Sequence, residues 1–308
     1  MTSGAGDAGS GTEDAEVFSH VRQALEIVHS PFSTNDARRE AQQFLEQIKD
    51  TPQAPIHGHS LASDRSQPHI VRHYGLFLLE HAIRYQWSSY GESQVEALLA
   101  WVIGLTQAIT RDDPPFIRNK TAQLWIEVAK RSWGEQWMDM DSRLVELWNV
   151  PDSPVHKEFV LSVLETLSDE VFTGEDSIVN LREGILSKAC VEIFTPTAVL
   201  LEVFPNRQAG PDVRQGHEGW LSRITQFLSL CLSSGVKENE EIKSCAVKSL
   251  ANIQTQLPWA IPKAIVAADC VSVLCSGLAC PSAEVQKVGA ACRQLYGKQT
   301  LTLCSREL

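Results

Sequence analysis

Apolar residues recur along this chain at intervals of three and four, and the stripes they form end at proline, glycine or short polar clusters. Val17, Val21, Leu25 and Val28 make one stripe, closed by Pro31. Ala37, Ala41, Phe44, Leu45 and Ile48 make the next, with Ser33 or Thr34 placed to cap it. Together they predict a helical hairpin. Residues 51–66 hold two prolines and a glycine with little periodicity, which predicts a long connection with at most one short helical turn. The stretch HIVRHYGLFLLEHAIRYQW, 69–87, then traces a broad face through Ile70, Tyr74, Phe77, Leu78, His81 and Tyr85. Val71, Leu79, Ala82 and Ile83 widen that face so far that neighbouring elements must cover the helix on more than one side.

The same rhythm continues to the end of the chain. Val95, Leu98, Leu99, Val102, Ile103, Thr106 and Ile109 mark another long amphipathic helix, and Pro114–Pro115 start a new one. Asp152 or Ser153 precedes Pro154 as a cap, and a helix after residue 177 breaks at Pro196. Later helices are predicted within KENEEIKSCAVKSLANIQTQ, WAIPKAIVAADCVSVLCSGLAC and SAEVQKVGAACRQLYGKQ. Helix pairs are therefore expected to begin near 14, 68, 115, 154, 213 and 258, a spacing close to that of HEAT or armadillo units. No paired period-two runs flank a tight-turn dipeptide. The expected fold is all-α, a right-handed superhelical solenoid of HEAT repeats built from antiparallel helix pairs.

With 308 residues, 43% of them hydrophobic, the chain exceeds one compact core, as a repeat array would. Its net charge of −11 argues against a nucleic-acid surface, and residues 1–110 already carry 13 acidic and 7 basic side chains. All eight cysteines fall in the last 119 residues without a CxxC pair, so reduced, mostly buried thiols are expected. Residues 1–13 read as a disordered leader, 206–219 as a linker or loop, 220–300 as further repeats and 301–308 as an irregular tail on a truncated chain. No run of apolar residues is long enough to insert in a membrane.

Candidate chemistry is sparse. His69 and His73 lie one helical turn apart, but the stretch reads HIVRH and lacks the glutamate of a metallopeptidase helix. No nucleophile elbow or phosphate-binding loop occurs, so no catalytic residue, metal or cofactor is expected. Trp125, Trp133, Trp137 and Trp148, with Trp87 and Trp101 nearby, read as a buried seam between helix pairs. Function then falls to the concave surface that stacked pairs expose through their second helices. Those helices, at 34–49, 92–109 and 135–148, carry Glu40, Gln43, Glu46 and Gln47, then Glu92 and Glu96, then Asp139, Asp141 and Glu146, a set suited to a partner with a basic patch.

The segments PHIVRHYGLFLLEHAIRYQW, FIRNKTAQLWIEVAKRSWGEQWMDM and KEFVLSVLETLSDEVF, in this order, resemble the N-terminal region of the exportin-5 family of importin-β-type karyopherins. The resemblance covers about residues 17–200 and makes 14–205 N-terminal karyopherin-type HEAT repeats. It implies a nuclear export receptor, not an enzyme, that shuttles between nucleus and cytoplasm. It also implies binding to the GTP form of the small GTPase Ran through second helices on the concave side, where helix position and charge single out the nine residues named above, together with contact with nuclear pore proteins and carriage of protein cargo, phosphorylated proteins among it. RNA cargo finds no support in the charge. The alternative is a HEAT-repeat scaffold that binds proteins without Ran.

Overall fold

The computed structural model describes residues 10–206, 213–234, 236 and 239–304, and the chain divides into two compact units, Met1–Glu127 and Val128–Leu308. The first contains α1 (Ser10–His29), α2 (Asn35–Lys49), α3 (Ala54–Ser63), α4 (His69–Gln86) and α5 (Glu92–Gln107). α6 (Pro115–Ser132) runs through the division. Thr34 caps α2 by accepting the Ala37 N–H at 3.3 Å. Val21, Ala24 and Leu25 of α1 meet Ala41, Leu45 and Ile48 of α2, with Leu61, Val71, Tyr74 and Leu78 completing the core. The buried Tyr74 hydroxyl donates to the Leu45 carbonyl at 2.7 Å, and desolvation raises its pKa.

α3 corrects the expectation of a long connection over 51–66. Pro55 falls in its first turn, where backbone N–H groups need no partner, and Ala54, His57, Gly58, Leu61 and Ala62 are buried. The glycine that looked like a breaker is a contact point. A Cβ on Gly58 would stand 2.9 Å from the Gly75 carbonyl oxygen, and one on Gly75 would stand 2.6 Å from both the Ala62 nitrogen and the Gly58 oxygen. α3 and α4 are thus an antiparallel pair whose backbones touch. At the end where the two helices are joined, Arg72 donates to the Ala62 carbonyl at 3.2 Å and to Asp113 at 2.6 Å. Arg65 reaches Asp113 at 3.1 and 3.2 Å and the Ala108 carbonyl at 2.9 Å, which ties this corner to the loop after α5.

This extra helix shifts the pairing. α4 is the second helix of a pair with α3, not the first helix of a pair with α5. α3 packs against α1 and α5, while α4 packs against α1 and α2. α5 consequently lies in the layer of first helices. The face of α4 is broad, as expected, but rotated: Val71, Leu76, Leu79, Ala82 and Ile83 are buried, Phe77 is half-buried, and Ile70 and Tyr85 are exposed.

The second unit contains α7 (Met140–Trp148), α8 (Pro154–Phe172), α9 (Ser177–Phe194), α10 (Thr197–Val203), α11 (Trp220–Ser233), α12 (Glu240–Gln256), α13 (Pro262–Ala267), α14 (Cys270–Leu278) and α15 (Ala283–Cys304). α8, α12 and α15 lie side by side in one layer, and α9, α11 and α14 in the other. Asn252 donates to the Leu161 carbonyl at 2.7 Å and Ser168 to the Thr255 carbonyl at 3.2 Å, so α8 and α12 run in the same direction. Like helices stacking on like helices is the arrangement of a repeat array. Lys130, its side chain 2% exposed, sits 2.7 Å from Glu170 and 2.8 Å from Asp176, and Asp176 also caps α9 through the Ile178 N–H.

Element ends differ from expectation in three places. Most of the expected leader, 1–9, lies outside the described residues, but its remainder, 10–13, is the start of α1. Residues 213–219 form loop, as expected, and 207–212 lie outside the described residues. The segment from Trp259 to Cys280 splits at Asp269, whose φ of 53° is a conformation that aspartate tolerates better than most residues. α15 continues through Cys304, into the expected tail, and 305–308 lie outside the described residues. Among the described residues the β structure is an isolated bridge between Trp133 and Trp137.

Candidate partner-binding surface

The sequence-derived candidates separate by unit. On α2, Glu40, Gln43, Glu46 and Gln47 are all exposed, because the apolar stripe Ala41, Leu45 and Ile48 turns the opposite side inward. Glu46 pairs with Lys49, whereas Glu40 has no basic partner among the described residues. Glu92 and Glu96 are also exposed and without a cation. They belong to α5, however, in the layer of first helices, so they do not extend the α2 surface.

In the second unit the candidates serve the fold. Asp141 is 2% exposed and accepts from the Trp220 indole N–H and the Gln215 N–H, each at 2.5 Å. It holds α7 to the start of α11 and cannot meet a partner. This corrects its assignment as a surface residue. Burial raises its pKa against the opposing pull of those two hydrogen bonds. Asp139 and Glu146 are exposed, but Arg143 binds both, at 2.9 and 3.2 Å.

Two surface features escaped the sequence reading. A groove of about 380 Å³ between α1 and α2 is lined by His20, Ala24, Ile27, Ala41 and Phe44, with Glu40 on its wall. A second depression, of about 260 Å³, lies on α4 and is lined by Lys49, Phe77, Glu80, His81, Arg84 and Tyr85. There Glu80 pairs with Lys120, whose ammonium also stands 5.7 Å above the Phe77 ring, and His81 leans on the exposed Tyr85 ring at 4.9 Å. The period of α4 itself sets Phe77, Glu80, His81, Arg84 and Tyr85 on one face, and Lys49 of α2 joins them through the fold. Treating α4 as a first helix hid them, although Tyr85, exposed at the end of its apolar run, was a usable signal.

The candidates set aside behave as packed residues. His69 is exposed, and His73 packs edge-on against Phe116 at 5.5 Å. Among the described residues no cluster of three ligating groups includes a histidine. Trp125 and Trp133 are fully buried, Trp137 and Trp148 nearly so, and Trp148 meets Trp220 edge-on at 5.6 Å. That is interior packing, not a stacking platform. Of the described cysteines only Cys275 is exposed. Burial pushes the Cys245 and Cys292 thiols up to about 12, which keeps them protonated and inert. Among the described residues no helix is long and apolar enough to cross a membrane.

Residues 41–126 match the family model for the importin-beta N-terminal domain, and 114–194 match that for exportin 1-like proteins. The chain is 32% identical to the protein MSN5 of Saccharomyces cerevisiae over 89% of its own length and 23% of that protein's. It is 31% identical to exportin-5 of Dictyostelium discoideum, over 52% of this chain and 14% of that one. To human exportin-5 it is 27% identical, over 49% of this chain and 13% of that one. It thus spans about a quarter, or less, of the length of these relatives. Two overlapping family matches and a fungal relative aligned over 89% of this chain make it a member of the importin-β (karyopherin) superfamily.

Proposed function

We propose that this chain acts in nucleocytoplasmic transport as the N-terminal HEAT-type repeats of an export receptor that binds Ran in its GTP form. The observation that carries the reading is the exposed face of α2, where Glu40, Gln43 and Gln47 have no partner among the described residues and stand beside an open apolar groove. The depression on α4 belongs to the next second helix and supplies aromatic and charged side chains for the same partner. Glu92, Glu96, Asp139 and Glu146 play a lesser part. Protein cargo, phosphorylated cargo included, nuclear pore contacts and shuttling between nucleus and cytoplasm belong to the same reading, and RNA cargo does not.

Such a receptor works by linkage: cargo and GTPase each bind better when the other is present, typically by about 1–3 kcal/mol. The nucleotide would be hydrolysed on Ran, so this chain needs only a surface that distinguishes the two nucleotide states. The test compares binding of the chain to Ran loaded with a nonhydrolysable GTP analogue and with GDP. Tight binding to the first and weak binding to the second is expected. Equal binding to both, or to neither, leaves the scaffold reading instead.

A further inference from the structure

Four Ser/Thr-Pro dipeptides occur in the chain, at Ser30, Thr51, Ser153 and Thr195. Three of these hydroxyls are held. Thr51 donates to the Ile48 carbonyl at 2.7 Å, Ser153 bonds to His156 Nδ1 at 2.6 Å, and Thr195 is 3% exposed. Ser30 differs. Its Oγ accepts the Phe32 N–H at 3.2 Å and makes no other hydrogen bond among the described residues, which leaves its own proton without an acceptor there. It lies in the turn between α1 and α2, flanked by exposed His29, Pro31 and Thr34, and the Phe32 ring is 94% exposed. Pro31 fixes its own backbone and biases Ser30 away from helical geometry. A kinase that selects proline after its acceptor finds here a short turn with no buried side chain to displace.

A second observation concerns the space beside that hydroxyl. Arg38 Nη2 donates to the Ser30 carbonyl at 2.6 Å. Among the described residues no carboxylate pairs with Arg38, and its Nε is buried without an acceptor. An uncompensated guanidinium is unexpected in a chain of net charge −11. It is also the group that best receives a phosphate.

We propose that Ser30 is a phosphorylation site for a proline-directed serine/threonine kinase and that Arg38 takes up the phosphate. Ser30 Oγ forms the new bond to the γ-phosphorus of ATP as the bond to the β,γ-bridging oxygen breaks. ADP leaves, and the hydroxyl proton passes to the base of the kinase. The product carries about −1.5 to −2 charge at neutral pH, next to the helix that presents Glu40. The carboxyl end of α1 repels that charge, while Arg38 and the amino end of α2 attract it.

The experiment incubates the folded 308-residue chain with a proline-directed kinase of the MAP-kinase type and Mg-ATP, maps the phosphate by mass spectrometry, and titrates it by phosphorus NMR. One phosphate on Ser30 is expected, abolished by Ser30→Ala and unaffected by Thr51→Ala. Its second ionisation should fall below the ordinary value of about 6 and return to it in Arg38→Gln. Incorporation at Thr51, Ser153 or Thr195 with Ser30 untouched, or none at all, overturns the site. Identical titrations for the parent and Arg38→Gln overturn the receptor role of Arg38.

Discussion

Glu40, Glu92 and Glu96 in the first unit stand in water without a cation, whereas Asp141 in the second is buried under two hydrogen bonds and Asp139 and Glu146 share Arg143. All six were selected by one rule, acidic side chains on expected second helices. The difference teaches that a charge becomes available to a partner only where the chain supplies no donor of its own. Each unit still contains a buried ion cluster. In the first, Asp113 binds two arginines at the corner of α3 and α4; in the second, Lys130 binds two carboxylates between α6 and the turn before α9.

The sharpest way to break the comparison is to remove the buried cation of the second unit. Lys130→Met strands Glu170 and Asp176, and a loss of about 3–5 kcal/mol is expected, read from urea unfolding. Asp141→Ala leaves the Trp220 and Gln215 donors unsatisfied and should cost about 2–4 kcal/mol by the same measurement. In the first unit Gly75→Ala forces a methyl group into two backbone atoms and should cost about 1–3 kcal/mol, detected as a lower melting temperature. Smallest of all, Glu40→Lys should change stability by less than about 0.5 kcal/mol while weakening binding to the GTP form of Ran in a salt-dependent way. A stability loss as large as that of Asp141→Ala would show that the α2 face serves the fold after all.

Acidity separates the two kinds of carboxylate by sign. Burial works against ionisation of Asp113, but the Thr110 N–H and the Arg72 and Arg65 guanidinium groups prevail and hold its pKa below the ordinary value. Its folded pKa lies below its unfolded one, so its contribution is present above about pH 4 and is lost as pH falls through the depressed folded value. Asp141, raised by burial, behaves oppositely: the fold holds its proton more tightly than the unfolded chain does. Its contribution is present at low pH and is lost as pH rises from about 4 through the raised folded value. Urea midpoints of Asp113→Asn against the parent should therefore converge on acidification. A gap independent of pH would show that Asp113 acts by shape alone.

Much of the helical content was legible in the chain because a stripe of period 3.6 needs only local order: α2, α4, α5 and α8 stand where Leu45, Leu78, Leu98 and Leu164 predicted them. α3 was not legible. Its two nearby prolines and central glycine are breakers by local rules, and Gly58 becomes favourable only because Gly75 comes to meet it. That single omission put α4 and α5 on the wrong side of their pairs and carried Glu92 and Glu96 into the wrong layer. Asp141 was misread for a related reason: periodicity marks α7 as amphipathic, yet Trp220, 79 residues later, is what takes this carboxylate inside.

By itself the sequence determined that the chain is helical, where most helices lie, that Trp125, Trp133, Trp137 and Trp148 are interior and which superfamily it belongs to. These follow from short-range spacing and from the order of its segments. Only the tertiary structure decided which helix pairs with which and which acids face solvent, because both depend on contacts between residues far apart in the chain, such as Gly58 with Gly75 and Asp141 with Trp220, that no local pattern encodes.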